Sequence, residues 1–213
     1  MADLDFFFDP VCPWAWITSR WVAEVQELRD YKVSWKFISL KILNQDKMDY
    51  ASMPAGYKEV HAAGTSGLRV AAKARSAAGN DAVAKVYTAL GTSLHNRQER
   101  ELFVADIEGH IAGLLSQAGL PVEWAAAVHD ESFDRLIADE TALGLGRAGK
   151  DVGTPIITFN PSGLKEASFF GPVISTIPRG EEATKLWDAI ETIATASGMA
   201  ELKRSLRARP SFD

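Results

Sequence analysis

The sequence predicts an α/β fold: a βαβ unit and a ββα unit with a helical insertion between them. Three observations carry the prediction. A phenylalanine-rich apolar run near the amino terminus is followed by a Pro-containing bend and an amphipathic stretch. An alternating polar and apolar segment comes next, which is the period of a half-buried strand. Then roughly a hundred residues show helical spacing and no convincing strand, before strand character resumes near the carboxyl end.

Taken in order, Asp3 to Asp9 reads as a strand buried on both faces, because Phe6, Phe7 and Phe8 leave no polar side. A helix begins near Pro13 and runs to Arg29-Asp30, with Trp16, Ile17, Trp21, Val22, Val25 and Leu28 at helical spacing. Pro13 suits the first turn, where its missing N–H would be unpaired anyway. Lys32 to Leu40 alternates and forms the second strand. Short connections make the two strands parallel with a right-handed crossover. From Asn44 to Ala148 helices are broken at Met53–Gly56, Gly64–Gly67, Ala78–Asp81, Gly119–Pro121 and Asp130–Ser132. Thr154 to Phe159 and Glu166 to Gly171 flank the turn Asn160–Gly163 and read as an antiparallel hairpin. A last helix carries Leu186, Trp187, Ile190 and Ile193 on one face, and the end of the polar tail from Arg204 to Asp213 is expected to be loosely held. This order is a thioredoxin fold, with residues 1–43 and 150–213 as its domain and 44–149 as a helical insertion subdomain.

Composition excludes several classes. With 46% hydrophobic and 24% charged residues the chain has the balance of a soluble globular protein. The net charge of −5 is spread out, so neither nucleic acid nor an anionic membrane surface is expected as partner. No run approaches the ~20 apolar residues of a membrane span. Met1-Ala2-Asp3-Leu4-Asp5 is acidic where a secretory signal is basic, and a single cysteine fits a reducing compartment, so the expected location is cytoplasmic.

That cysteine, Cys12, stands between the first strand and the first helix. A lone free cysteine is most commonly a small buried hydrophobe. Strand, Cys, Pro and helix start in direct succession favour a reactive thiol instead. Unpaired N–H groups and the positive helix end stabilise a thiolate, which predicts a lowered pKa. Lacking a second cysteine, any redox chemistry proceeds through a mixed disulfide with another molecule. Trp14, directly after Cys-Pro, is expected half exposed as a stacking surface, with Trp16 and Trp21 in the core. His61, His110 and His129 have no Cys or Asp/Glu at a metal-ligand spacing that compels attention, and no metal site is expected. Gly144 to Gly149 closes a helix rather than cradling a phosphate.

Cys12-Pro13-Trp14 and Val152-Gly153-Thr154-Pro155 resemble the active-site and cis-proline motifs of the DsbA-like branch of the thioredoxin superfamily. Within it, Phe8-Asp9-Pro10, Trp16 to Trp21, Ile42-Leu43-Asn44, His95-Asn96, Asp151 to Pro155, Phe169 to Val173 and Ile177 to Glu182 are similar to the actinobacterial mycothiol-dependent nitroreductases. The resemblance implies an often dimeric cytoplasmic enzyme that uses the small thiol mycothiol as cofactor and acts on disulfides or electrophilic nitro-compounds. It makes Cys12 the nucleophile. Pro13, Trp14, Asn44, Tyr57, His95, Thr154 and Pro155 then surround the thiol and substrate. Read alone, Asn44 is a turn residue, Tyr57 anchors a helix start, and His95 suits a helix end. The chain departs from the family at Ala15, where relatives carry the resolving cysteine. A thiol transferase or isomerase of the kappa-class glutathione transferase kind, and a non-catalytic binding protein, are the alternatives.

Overall fold

The computed structural model describes residues 2–213. Among the described residues, four strands form one sheet in the order β2-β1-β3-β4. They are β1 (Leu4–Phe8), β2 (Val33–Phe37), β3 (Ile156–Phe159) and β4 (Ala167–Phe170). β2 runs parallel to β1, with Phe6 opposite Trp35. β3 is antiparallel to β1, and β4 to β3. With helix α1 (Pro13–Arg29) between β1 and β2, and α8 (Gly180–Thr195) after β4, the order is βαβ, helices, ββα.

The alternation of β1 explains its layers. Leu4, Phe6 and Phe8 enter the large core, whereas Phe7 joins a smaller cluster with Ile38, Leu43 and Ile156. Burying each phenylalanine contributes about 1.5–3 kcal/mol. On one side α1 and α8 meet through Trp21 and Trp187, whose rings are 5.2 Å apart, and Trp21 Nε1 donates to Ala183 O. On the Phe7 side lies α7 (Asp134–Ala148). Its Arg147 pairs with Asp5 at 2.7 Å, the next polar position on the same face.

The segment between β2 and β3 is helical. It comprises α2 (Leu40–Asn44), α3 (Tyr57–Ala78), α4 (Asn80–Gly91), α5 (Arg100–Ala105), α6 (Ile107–Gln117) and α7, with shorter 3-10 and π turns. It shares the large core with the sheet: Tyr87 of α4 stacks on Phe8 at 3.8 Å. Buried Glu140 of α7 ties the block to β2 by accepting from Phe37 N–H (2.9 Å) and pairing with Arg75 (2.9 Å).

Two expectations are corrected. The break at Gly64–Gly67 does not exist, because α3 runs through it. Those glycines serve a close approach: a Cβ on Gly64 would lie 2.6 Å from Asp9 Oδ1, and one on Gly67 3.2 Å from Pro10 Cγ. The chain end, expected to be loosely held, is anchored at its last residues, Ser211 and Phe212, while 201–209 are exposed. Ser211 N–H donates to Ser175 O (2.8 Å), and Phe212 packs against the core.

Candidate active site

Cys12 is the N-cap of α1, and its sulfur accepts from Ala15 N–H at 3.5 Å. Pro13 occupies the first turn of the helix. From the other side comes the loop before β3, where the Thr154–Pro155 peptide bond is cis. The Cys12 thiol donates to Thr154 O at 3.6 Å, while Thr154 Oγ1 donates to Phe7 O at 3.2 Å. The structure thus brings together Cys12, Pro13, Ala15, Thr154 and Pro155. Cys12 is only 5% exposed.

Burial reverses the expected shift of the thiol. It pushes the Cys12 pKa up to about 12, the Ala15 N–H pulls the other way, and the Asp9 charge raises it further. The helix terminus acts as the sequence suggests, but desolvation of a thiolate with no bulk water around it is larger.

Asp9, which sequence reasoning quoted without assigning a role, is the buried group that shapes this loop. Its carboxylate accepts from Val11 N–H (3.0 Å) and from Leu40 N–H (2.8 Å), joining the Cys12 loop to the start of α2. Burial raises its pKa to about 7 against those two hydrogen bonds, which favour the charged form. A signal was available in part: an aspartate directly after the apolar run Phe6–Phe8, in a quoted motif, adjoins a strand read as buried on both faces.

His95 lies in a π-helical turn, Thr92–Asn96, that continues α4. Its Nε2–H donates to Pro10 O at 2.8 Å, two residues before Cys12, and burial lowers its pKa to about 4. The ring is therefore neutral at pH 7 and holds the loop from the helical side. Trp14 is half-buried, with the Arg207 guanidinium 5.9 Å from its ring, while Trp16 and Trp21 are buried.

Asn44 and Tyr57 stand apart from this constellation. Asn44, half-buried, ends α2, the helix whose start Asp9 holds. Tyr57 opens α3, and its ring packs on His61 at 4.7 Å. Among the described residues neither side chain hydrogen-bonds to Cys12, Thr154 or His95. Sequence reasoning also left out Tyr50, whose hydroxyl meets His61 Nδ1 at 2.9 Å, and Asn96, which accepts from Trp16 Nε1 at 3.0 Å. Asn96 stood in a quoted motif. Tyr50 carried no signal, because only the fold brings it to His61. Among the described residues no group of three or more ligating side chains gathers as a metal site.

Sheet order, helical insertion and a thiol at a helix N-terminus facing a cis-proline define a thioredoxin-fold protein with one cysteine at its candidate site. The chain belongs to the Rv2466c-like family: the model described as mycothiol-dependent nitroreductase Rv2466c matches residues 11–204. A curated relative, the uncharacterized protein Rv2286c of Mycobacterium tuberculosis, is 27% identical over 206 residues, covering 96% of this chain and 82% of its own. Two solved structures are similar in fold, the cytosolic disulfide reductase DsbM from Pseudomonas aeruginosa and the same protein with GSH. Their identities are 17% and 16%, each with a TM-score of 0.55 over 88% of this chain and 98% of the other.

Proposed function

We propose that the protein is a thiol-dependent oxidoreductase that forms a mixed disulfide at Cys12. Mycothiol is the reductant, and disulfides or nitro-compounds are the substrates. The observation that carries the reading is the placement of the Cys12 sulfur between Ala15 N–H and Thr154 O, next to a cis-proline. Thr154 offers backbone to an incoming thiol as a short strand would, and Trp14 offers a flat face.

In the reaction with a disulfide, the Cys12 thiolate attacks one sulfur, the S–S bond breaks, and the other sulfur leaves as a thiolate. A second soluble thiol then attacks the mixed disulfide and releases Cys12 as thiol. For a nitro substrate, Cys12 and one mycothiol join as the mixed disulfide. Their two electrons and two protons take the nitro group to nitroso and water, and a further mycothiol frees Cys12. Mycothiol is consumed and is in this sense a substrate. Trp14, Asn44, Tyr57 and His95 are proposed to line its approach, and Ala15 leaves resolution to the external thiol. Because burial is the largest cause of the raised thiol pKa, deprotonation accompanies opening of the site to substrate.

In this reading 1–43 with 150–213 form the catalytic domain and 44–149 the insertion beside it, in a cytoplasmic protein. No helix among the described residues is long and apolar enough to cross a membrane. Intact-mass spectrometry after incubation with oxidised mycothiol tests the proposal. One reducible adduct is expected, absent from Cys12→Ser; no adduct at neutral pH refutes it. One observation favours a second reading: a protonated Cys12 donating to Thr154 O is suited to holding a bound thiol's thiolate, as a transferase or isomerase does. Turnover with no disulfide formed would select that reading.

A further inference from the structure

Residues 205–213 lie beyond the segment that the family model matches, yet they reach the site from two directions. Asn96 Nδ2 donates to Phe212 O at 2.6 Å, while the same side chain's Oδ1 holds Trp16 Nε1. The Phe212 ring stands 5.5 Å from that of His95. Ser211 N–H is bonded to Ser175 O. Further back, the Arg207 guanidinium lies over Trp14. His95 grips the carbonyl two residues before Cys12, and Trp14 is two residues after it. The segment therefore touches groups on both sides of the thiol.

We infer that Arg207 to Phe212 is a strap forming one wall of the thiol site, and that it sets the size of the molecule able to reach Cys12. This rests on Cys12 being the reacting group. The anchors are few: two hydrogen bonds and one ring contact at the Phe212 end, with residues 201–209 exposed. Such a segment opens far more readily than the fold as a whole. A small electrophile slips past the closed strap, whereas a bulky one waits for opening. A flat substrate that stacks on Trp14 takes the place Arg207 occupies, a contact that is weak at an exposed position.

The test is alkylation of Cys12 in the full chain by iodoacetamide and by fluorescein maleimide, followed by intact mass at one pH. Phe212→Ala removes the ring contact, and Ser211→Pro removes the N–H donor, so the two variants probe different anchors. In both, the maleimide-to-iodoacetamide rate ratio is expected to rise about fivefold or more, the weight of one aromatic or hydrogen-bonded contact. An unchanged ratio in both variants, or equal acceleration of both reagents, overturns the strap. Neither reagent needs redox turnover, so this result is separate from the mycothiol adduct test.

Discussion

Asp9→Asn separates two pH dependences that oppose each other in the wild-type chain. Burial holds the Asp9 carboxyl at about 7 rather than 3.8. The unfolded chain therefore loses this proton well before the folded one. The stability it contributes is full below pH 3.8 and is lost as pH rises through 7, about 4 kcal/mol over the window. His95 runs the other way. Its pKa falls from 6.5 to about 4, so its contribution is full above pH 6.5 and is lost as pH falls to 4, about 3 kcal/mol. Between pH 4 and 6.5 the two slopes nearly cancel.

Asp9→Asn removes the first slope and leaves the second. The variant is expected to lose about 3 kcal/mol between pH 6.5 and 4, where wild type is nearly flat. At pH 8 it sheds the cost of a buried charge but keeps one acceptor where Asp9 serves both Val11 and Leu40. One N–H left unpaired costs about 1–3 kcal/mol, so a net gain of about 1–3 kcal/mol remains at pH 8. Urea titrations followed by tryptophan fluorescence at pH 4, 5, 6.5 and 8 measure this. A variant with the wild-type profile, or one less stable at pH 8, refutes the reasoning. Because the Asp9 charge also raises the thiol pKa, the pH profile of Cys12 alkylation should move to lower pH in the same variant.

Gly64→Ala places a Cβ 2.6 Å from Asp9 Oδ1, so the Cys12 loop must shift; a loss of about 1–3 kcal/mol in urea titration is expected. Ala15→Cys should yield an internal disulfide, seen as a two-hydrogen mass loss on oxidation, and should abolish the stable mycothiol adduct, since the Ala15 nitrogen already lies 3.5 Å from the Cys12 sulfur. Glu140→Ala leaves Arg75 and the Phe37 N–H without their carboxylate. A cost of about 3 kcal/mol, or roughly 6–12 °C in melting temperature, is expected in a thermal melt.

Much of the fold was legible because its signals are local. The Phe6–Phe8 run, the alternation of Val33, Trp35 and Phe37, and Pro13 after Cys12 each fix an element from its own residues. Gly64 and Gly67 misled for the opposite reason. A glycine that breaks a helix and one that admits a neighbouring loop look alike until the neighbour is known, and here the neighbours are Asp9 and Pro10. The tail was read by composition, yet what orders Phe212 is Asn96, distant in sequence. The motif residues Cys12, Thr154 and Pro155 meet in space, whereas Asn44 and Tyr57, named through the resemblance, share no hydrogen bond with them among the described residues.

The Cys12 thiol shows why local reasoning gave the wrong sign for its shift. A helix N-terminus is worth at most about 2 kcal/mol to an anion, even in a favourable partly buried geometry. Raising the thiol from 9.0 to about 12 corresponds to about 4 kcal/mol in the opposite sense. The first quantity is written in Cys12-Pro13 and the helix that follows. The second depends on what lies over the sulfur, and Thr154 arrives there only because β3 pairs with β1. Since burial is the dominant cause, exposing the sulfur restores the advantage of the helix terminus. In the proposed reading, thiol reactivity is coupled to whatever uncovers the sulfur, so its control lies in the surrounding walls as much as in the cysteine itself.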